Sequence, residues 1–577
     1  MSKKLFLILL IPCVLLLAGY LFLRISLQQK NKAGEKQTSI KQPDSLGGKK
    51  VLEADLRPLF IARMQQLLKQ SSNGLYNLSI GNMEVDVLAS TISLHDVAVK
   101  REEAVYEKLK SSQALPQNVF EGAFKSLVIE GINIDDALTR QTMDYKLVKL
   151  VHPTIHIYRT SKKPKESTED FSKSFLQEMT SLSVKRLVIE KGTIVTHSAT
   201  NKTNQLNDVD IDMNDILLDS TTRTQKERFL FAKQARINFK DYKTKTPDGL
   251  YQFTIGSGSI KAPEQTVVLQ NLSFASPLGR KEFMQRQKQA KELFDLSLGS
   301  VTLRGVNWWT LLNGEELLAD EITASGGKIS LYSDRTLPPR SRMGNFPNQL
   351  LAKLSLQMNV ARFSIQNLDL AYTQYNPVSQ QNGTVALDNI VLNGKNLSTN
   401  STKPLVIDGN ALLMRQVPVK ASFTFDMRRP MAGGFSASIG LEKDFEASLL
   451  NAFTMPLGML RVDEGRLQKL QASIKGNEQQ AKGNVLVLYK DLRIHLMEKD
   501  AGKKALDKKD VTSFLANLFV IKDDNPKKNQ LPRNSATAFK RDPNGGFFML
   551  VWKTILVGVL KTIGAPEKLA YKKPAVK

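Results

Sequence analysis

Short stretches in which apolar and polar residues alternate recur along most of the chain. A period of two is typical of a β-strand with one buried face. Several stretches are interrupted near the middle by Gly or Asn, which permits a β-bulge or tight turn between two strand halves. The clearest are 124–134 (FKSLVIEGINI), 183–196 (SVKRLVIEKGTIVT), 294–306 (FDLSLGSVTLRGV), 361–373 (ARFSIQNLDLAYT) and 383–392 (GTVALDNIVL). This recurrence predicts a repeated strand architecture with only a weak sequence repeat.

The same alternation, less regular, predicts further strands. They cover 76–87, 91–100, 151–158, 229–242, 251–260, 419–427, 433–441, 467–475 and 482–495. The two strands between 229 and 260 are joined by Thr246-Pro247-Asp248-Gly249, which has the composition of a turn. Strands joined in this way form an antiparallel meander, so we expect a mainly β protein with few helices.

Helical patterning is sparse. The segment 52–70 has an apolar stripe at Leu52, Leu56, Leu59, Phe60, Met64, Leu67 and Leu68. This spacing predicts an amphipathic helix in spite of Pro58. Weaker patterns at 280–293 and 509–520 predict two more helices.

An antiparallel sheet with few helices needs a cover for its apolar face. One possibility is that the sheet folds into a sandwich or barrel and buries that face itself. The other is an open groove that accommodates lipid chains. About 25 strands in one ladder would make a trough on the order of 120 Å long. The alternation of residues is compatible with both.

The N-terminus contains an uncharged apolar run from Leu5 to Leu23. As a helix it would reach roughly 28 Å, close to the hydrocarbon thickness of a bilayer. No small-x-small cleavage site follows it, which predicts an uncleaved membrane anchor. Residues 28–50 are rich in Lys, Gln, Ser and Gly and predict a flexible stalk. The flanking lysines alone favour a cytoplasmic body, but that rule weakens for long domains.

A second apolar segment, 547–560 extended by Ile563, lies near the C-terminus and contains Lys553. It is too short for a comfortable membrane span. As a helix it would have Phe548, Trp552, Ile555 and Val559 on one face. Two interpretations stay open: a buried capping element, and an interfacial helix that contacts a membrane through this face. A basic tail, 568–577, follows.

Charge and composition restrict the classes of function. The net charge of +25 is spread along the chain, which suits a body near an anionic membrane surface. Nucleic-acid binding would require basic residues clustered on one face with interleaved aromatic residues, and the sequence shows no such pattern. The only cysteine, Cys13, lies in the predicted anchor, which excludes disulfides and cysteine nucleophiles in the body. No catalytic motif and no cofactor-binding motif is present.

Two polar patterns are candidate metal ligands. His152 and His156 would share one face of a strand, but two imidazoles without a nearby acidic ligand make a weak metal site. Acidic residues alternate with apolar ones over 206–219, which is typical of the solvent-facing side of a strand. Calcium binding is the alternative, although the loop glycine it needs is missing. We therefore predict no metal site.

Three regions together resemble a known family. They are the anchor followed by the 52–70 helix and the strand TISLHDVAVK (91–100), the units KRLVIEKGTIVT and DLSLGSVTLRGV, and the end, where IKGN (474–477) leads to AKGNV (481–485) and YKDL (489–492). This arrangement resembles AsmA-like proteins and, more distantly, chorein-type lipid-transfer proteins.

The resemblance implies a single-pass protein of the bacterial inner membrane whose body lies in the periplasm. It implies a β-groove that carries phospholipid or another acyl-chain lipid, and a role in lipid transport, the cell envelope and outer membrane biogenesis. The implied partners are the inner membrane and outer-membrane or envelope proteins, and no enzymatic activity is implied. The candidate groove-lining residues are Leu127, Ile129, Leu187, Ile189, Leu296, Leu298, Phe363 and Ile365.

We therefore expect a mainly β protein with an N-terminal transmembrane helix and an elongated, antiparallel, taco-shaped sheet. The expected regions are an anchor at 1–27, a stalk at 28–50, a chorein-like helix-and-strand cap at 51–120, a repetitive groove at 121–500 and a C-terminal region at 501–577. Leu5 and Leu23, at the ends of the anchor, and the 548–559 face are the expected membrane contacts. The alternatives are a non-enzymatic assembly scaffold with a closed β-core and an envelope hydrolase.

Overall fold

The structure is a computed structural model. It describes residues 72–86, 88–116, 118–131, 142–160, 180–198, 203–222, 225, 227–313, 316–499, 514–518 and 524–571, and before them 58, 61–62, 64–66 and 68–70. Of these, 58% lie in strands and 16% in helices, which confirms the mainly β class. The predicted anchor at 5–23 and the stalk at 28–50 lie outside the described residues.

Strands supply most of the described fold. Their bounds are β1 Tyr76–Asp86, β2 Thr91–Arg101, β3 Asn118–Glu130, β4 Thr142–Val151, β5 Thr154–Arg159, β6 Ser181–His197, β7 Thr203–Leu218, β8 Ala232–Lys245, β9 Gln252–Lys261, β10 Thr266–Ala275, β11 Leu293–Arg304, β12 Glu316–Asp334, β13 Gln357–Asn376, β14 Gln381–Ser398, β15 Leu405–Leu413, β16 Val417–Phe425, β17 Phe435–Leu441, β18 Phe445–Glu446, β19 Leu460–Gly476, β20 Gln480–Lys499, β21 Phe514–Leu518 and β22 Asn534–Lys540.

The helices are short, with one exception. They are α1 Glu103–Ser111, α2 Arg280–Gln285, α3 Trp308–Asn313, α4 Pro347–Ala352, α5 Asn451–Gly458, α6 Phe547–Ile563 and α7 Lys568–Tyr571. The described positions between 58 and 70 are also helical, with Met64 and Leu68 buried. Among the helices in the described ranges, none combines the length and hydrophobicity needed to span a bilayer.

The chain divides into two compact units. Unit 1 comprises residues 1–245, 254–269 and 304–316, and unit 2 comprises 246–253, 270–303 and 317–577. Each unit has a sheet and a core, and each is described by itself below.

The sheet of unit 1 is mostly antiparallel. Strand β2 pairs with β1 and β3, and β7 pairs with β6 and β8, all antiparallel. Strands β4 and β5 continue one another across His152 and Pro153, and both pair antiparallel with β3. On their other side both pair parallel with β6. The expectation of a wholly antiparallel sheet is therefore wrong at β6, because β6 runs in the same direction as β4 and β5.

Most of the apolar face of unit 1 is buried. Residues of one parity along its strands alternate with exposed neighbours, as in β3, β6 and β7. Several of these side chains are almost inaccessible to solvent: Leu94, Leu127, Val148, Leu150, Ile189, Ile211 and Met213. This alternation, with one face inside and one in water, is what the period of two in the sequence predicts.

The sheet of unit 2 is an antiparallel meander in its C-terminal half. Strands β13, β14, β15, β16 and β17 pair in sequence order, β17 pairs with β19, and β19 pairs with β20. Strand β20 then pairs with β22, and its far end pairs with β21. The segment 509–520 was predicted as a helix. That prediction is wrong for 514–518, where backbone pairing with β20 forms a strand.

Left-handed residues interrupt many of the long strands at their middle. Asn367 and Asn389, both predicted from sequence, have φ of +54° and +51°, and the β13–β14 register shifts beside them. Gly192 lies at a register shift in β6, also as predicted. The positive φ there belongs to the preceding residue, Lys191. Unpredicted cases in unit 1 include Asp96, Asp208, Asp215 and Asp241.

Three of these interruptions share one hydrogen bond. In each, a residue with left-handed backbone geometry donates its N–H to the carboxylate of an Asp on an adjacent segment of the same chain. The pairs are Lys191 with Asp210 (2.9 Å), Asn389 with Asp369 (3.0 Å) and Asp491 with Asp524 (2.8 Å). The predicted repeated architecture is therefore carried by a repeated backbone interaction, although the sequence repeat is weak.

Helix α6 packs lengthwise on the sheet of unit 2. It begins after Gly546 and ends at Gly564, whose φ of +82° forms a left-handed C-cap. Two threonines inside the helix bond to its own carbonyls, Thr554 to Leu550 and Thr562 to Gly558. Gly558 lies directly against Val485 of β20, so that a Cβ there would approach Val485 to 2.5 Å. The small residue lets the helix approach the sheet closely.

Candidate functional site

The sheet of unit 2 has two chemically different faces. Successive residues of a strand point to opposite faces, and paired residues share one face. Cross-strand pairing therefore joins Phe363 to Gly394, Gly394 to Ile407, and Ile407 to Phe423 on one side. Ile365 and Leu392 extend the same side. We call this side, defined by Phe363, Ile365, Leu392, Ile407 and Phe423, the apolar face.

Helix α6 and helix α4 cover part of the apolar face. Phe547 lies at the centre of an aromatic cluster whose ring centroids are 4.9–5.8 Å from its own, formed by Phe346, Phe423, Phe425, Phe435 and Phe548. Further along α6, Leu550, Val557 and Leu560 are buried against the sheet. The C-terminal segment therefore forms a buried cap, one of its two predicted interpretations.

The eight predicted groove residues fall into two groups. Leu127, Ile129, Leu187 and Ile189 are buried in the core of unit 1. Leu296, Leu298, Phe363 and Ile365 are only half-buried in unit 2. Strand β11, which carries Leu296 and Leu298, has no fully buried residue. The first group forms a closed core, whereas the second retains apolar surface in contact with solvent.

The predicted membrane-facing residues of α6 also divide. Phe548 is 71% exposed and Trp552 is 42% exposed, although the Trp552 ring packs edge-on against Phe453 of α5. Val559 is partly buried. Ile555 is only 5% exposed and belongs to the core cluster, so the structure corrects its expected position on the outer face. Leu5 and Leu23 lie outside the described residues.

Two basic side chains of this region lie near one another, and sequence reasoning missed them. Arg335 lies between β12 and α4 and is close enough to Lys553 of α6 to affect its pKa. We call these two residues the cation cluster. Glu292 pairs with Arg342. Burial, reinforced by the charge of Arg335, lowers the pKa of Lys553 to about 8. No local motif could reveal a cluster whose members are so far apart along the chain.

The opposite face of the unit 2 sheet is polar and contains a cavity of about 800 Å³. Its lining mixes apolar residues, such as Val391, Ile439 and Leu486, with amides, hydroxyls and a few charged groups. They include Asn393, Asp408, Asn410, Lys420, Ser422, Ser438, Gln471, Ser473, Asn484 and Asn534. Ser422 donates to the Asp408 carboxylate at 2.5 Å. This face therefore combines polar side chains with some apolar surface, whereas the phenylalanines Phe363 and Phe423 lie on the apolar face.

The histidines form a pair that was not predicted. His156 does not meet His152. Its Nδ1 lies 3.2 Å from Nε2 of His197, and Tyr158 stacks on His197 with centroids 4.4 Å apart. Burial and the neighbouring His156 lower the pKa of His197. In the described part of the chain, no group of three or more His, Cys, Asp or Glu residues is arranged to hold a metal ion.

The acidic row of β7 is explained by ion pairs and a backbone contact. Val209, Ile211, Met213 and Ile216 are buried, while the aspartates between them face solvent, as predicted. These aspartates pair with basic residues of unit 1, namely Asp208 with Lys240, Asp212 with Arg186 and Asp215 with Lys185, and Asp210 accepts from the Lys191 backbone. The solvated-face interpretation accounts for each of them.

Comparison with known proteins adds no family assignment. Neither a scan against protein-family models nor a search of curated proteins returned a match to this chain.

Proposed function

We propose that this protein binds the acyl chains of a phospholipid, or of a similar lipid, on the apolar face of unit 2 and transfers that lipid in the bacterial envelope. The observation that carries the proposal is the row of large apolar side chains, Phe363, Ile365 and Leu392, that are only half-buried. Covering apolar surface with an acyl chain gains about 0.8 kcal/mol for each methylene removed from water. Transfer requires no catalytic residue.

The cellular location belongs to the same proposal. The apolar run from Leu5 to Leu23 would anchor the chain once in the inner membrane, with the body in the periplasm. The resemblance to AsmA-like proteins supports this orientation and an elongated, taco-like groove. Phospholipid would enter from the inner membrane, and outer-membrane or envelope proteins would be the partners that receive it.

Site-specific photo-crosslinking in living cells tests the binding step. A benzophenone amino acid replaces Phe363 in the full chain, and the matched control carries it at Asn393. Residue 393 precedes Gly394, the partner of Phe363, and therefore lies on the polar face of the same sheet. We expect a lipid adduct, identified by mass spectrometry, at position 363 and none at 393. Equal labelling at the two positions, or no lipid at 363, would contradict the proposal.

Transfer is tested separately with the full chain anchored in donor vesicles that contain fluorescent phospholipid. Ile365→Asp introduces a charge on the apolar face, and Ser422→Asp introduces the same charge on the polar face. We expect Ile365→Asp to lower the transfer rate several-fold and Ser422→Asp to leave it near the wild-type rate. Equal rates for the two variants would argue against a role for this face.

A closed scaffold for outer-membrane biogenesis is the second candidate, and unit 1 favours it. Leu127, Ile129, Leu187 and Ile189 are buried, so these four predicted groove positions leave little apolar surface for a ligand. Quantitative lipid extraction from the purified full chain separates the two functions. About one phospholipid or more per chain supports transfer, whereas a folded chain without lipid supports the scaffold.

A further inference from the structure

Exposed apolar side chains are concentrated in one part of unit 2. The described chain exposes ten large apolar or aromatic side chains, and five of them lie on the segment 343–356 and at Met431. These five side chains are between 41% and 53% exposed: Met343, Leu350, Leu354, Leu356 and Met431. A single exposed Leu is ordinary, whereas several together mark a surface that contacts a partner or a membrane.

Buried amides hold helix α4 against the turn at 426–434. Asn348 and Gln349 of α4 are fully buried. Gln349 Nε2 donates to the Met431 carbonyl at 2.9 Å, and Asn348 Nδ2 donates to two carbonyls of the same turn at 3.1 and 3.3 Å. Because Leu350 follows Gln349 directly, the exposed side chains of α4 and of this turn belong to one surface.

The chain after α4 contacts the loop before it. Lys353 Nζ donates to the carbonyl of Gly344, the residue that follows Met343. Leu354 donates its backbone N–H to the Leu351 carbonyl at 3.2 Å, which extends the helix by a further turn. Leu354 therefore lies one turn beyond Leu350, and the loop, the helix and the turn at 426–434 present their apolar side chains together.

The same part of unit 2 is basic. Between Asp334 and Asp369 the sequence contains no acidic residue and five basic ones, namely Arg335, Arg340, Arg342, Lys353 and Arg362. On the turn at 426–434, Arg428 and Arg429 are exposed. The Asp426 carboxylate accepts from the backbone N–H and the Nε of Arg428, at 2.9 and 3.4 Å. The exposed leucines and methionines thus lie among side chains of mostly positive charge.

We propose that this surface docks unit 2 on the anionic face of a lipid bilayer. We call it the α4 surface, defined by Met343, Leu350, Lys353, Leu354, Leu356, Arg428, Arg429 and Met431. Aliphatic side chains enter the interfacial region of a bilayer, while lysine and arginine attract anionic headgroups. A protein interface is more often built around Tyr or Trp, which the α4 surface lacks. This contact is distinct from the binding of lipid on the apolar face and does not depend on it.

Environment-sensitive fluorescence tests the docking. The full chain is reconstituted in phosphatidylcholine nanodiscs, and Cys13, the only cysteine, is replaced by serine. An NBD label is attached to Leu354→Cys, and the matched control carries the label at Leu531→Cys. Vesicles of phosphatidylglycerol and phosphatidylcholine, or of phosphatidylcholine alone, are then titrated. A shift of NBD emission to shorter wavelength reports entry of the label into a bilayer.

Leu531 is a suitable control because it is exposed but distant from the α4 surface. It is 90% exposed, and Arg533, two residues later, donates to the Tyr489 hydroxyl at 2.9 Å. Strand β20 begins at Gln480, beside the α4 surface, where the Glu478 N–H donates to the carbonyl of Ala432 at 3.2 Å. From Gln480 to Tyr489 the strand extends roughly 30 Å.

We expect the mixed vesicles to shift the emission of the label at 354, and neither kind of vesicle to shift the emission at 531. Arg428→Gln and Arg429→Gln should each weaken binding about fivefold. Leu350→Asp should weaken it at least as much. Lys420→Gln removes an exposed cation from the polar face and should leave binding near the wild-type value. Unchanged thermal unfolding verifies that each variant is folded, since every altered side chain is exposed.

Three outcomes would overturn the proposal. A shift at both 354 and 531 would indicate general adsorption of a basic protein. Equal shifts with the mixed vesicles and with phosphatidylcholine alone would remove the role of the cations. No shift at 354 with either kind of vesicle would assign the exposed leucines to a protein partner. These measurements do not report lipid transfer, so their failure is distinguishable from a failure of the proposed function.

Discussion

Lys553 is a single residue that lowers the stability of the folded protein in which it is buried. It interrupts the most apolar helix of the described chain, and burial lowers its pKa to about 8 from an ordinary value of 10.5. The folded state therefore disfavours the charged form. Below about pH 8 the side chain is charged in both states and the folded protein bears the full cost, whereas the cost disappears as pH rises toward 10.5.

Lys553→Met should stabilise the ligand-free protein by about 2 kcal/mol at pH 7. Each unit of pKa shift corresponds to about 1.4 kcal/mol of unfolding free energy, and water around the partly exposed side chain reduces the total. The gain should fade by about pH 10. Urea unfolding across this range measures it, with Lys561→Met as the exposed control. A gain that is independent of pH would show that packing, and not charge, is responsible.

The His156–His197 pair predicts a second pH effect, at acid pH. The pKa of His197 is lowered by burial and by His156, with a smaller contribution from Arg101, while Glu121 acts in the opposite direction. A lowered pKa stabilises the fold above the ordinary value of 6.5, and this stability is lost as pH falls below it. Two protonated rings also cannot keep their hydrogen bond, since both nitrogens would be donors.

We expect the unfolding temperature of unit 1 to fall between pH 7.5 and 5, and His197→Gln to flatten this dependence. Thermal melts of the two proteins across that range give the comparison. An identical slope in wild type and variant would exclude the pair as its origin.

At the scale of elements, α6 owes its position to one buried face. Leu550 is 1% exposed in the core of unit 2, whereas Phe548 is 71% exposed two residues earlier. Leu550→Ala should therefore cost roughly 2–5 kcal/mol, the usual range for a cavity in a core. Phe548→Ala should cost less than about 1 kcal/mol. Denaturant unfolding of both variants tests the assignment, which fails if the two costs are similar.

The interrupted strands make a prediction of their own. Asp369 accepts the backbone N–H of Asn389, which has left-handed backbone geometry. Asp369→Ala should destabilise the protein by about 1 kcal/mol, the worth of an exposed hydrogen bond to a carboxylate. Asp369→Asn keeps an acceptor oxygen and should recover much of that loss. Chemical denaturation decides, and equal losses for both variants would mean that the carboxylate does not support the bulge.

Much at this scale was predictable. Alternation located β3, β6, β11, β13 and β14, and the Asn residues inside β13 and β14 located their bulges. Strands β12 and β15 were missed, since internal glycines such as Gly326 and Gly409 break their alternation. Bulges at Asp96, Asp208 and Asp241 were missed because aspartate is also the common solvent-facing residue of a strand. The cation cluster and the His156–His197 pair depend on tertiary contacts that local patterns do not contain.

At the scale of the whole molecule, net charge and the N-terminal apolar run offer two different ways to hold the chain at a membrane. Charge attraction is screened within about 3 Å at 1 M salt, whereas burial of a spanning helix is insensitive to salt. We expect the full chain to stay with the membrane fraction in 1 M salt and to be released by detergent. Cell fractionation measures this, and release by salt alone would favour surface attraction.

The carboxylate-supported bulges have a consequence for how such a chain changes over evolutionary time. In the β13–β14 hairpin, both left-handed residues and the aspartate that supports one of them lie within the same two strands. The residues that interrupt the two strands, and the carboxylate that supports one interruption, therefore all belong to the hairpin itself. A copy of it inserted beside the original would bend in the same way, so a sheet of this kind can lengthen or shorten two strands at a time while its neighbours keep their pairing.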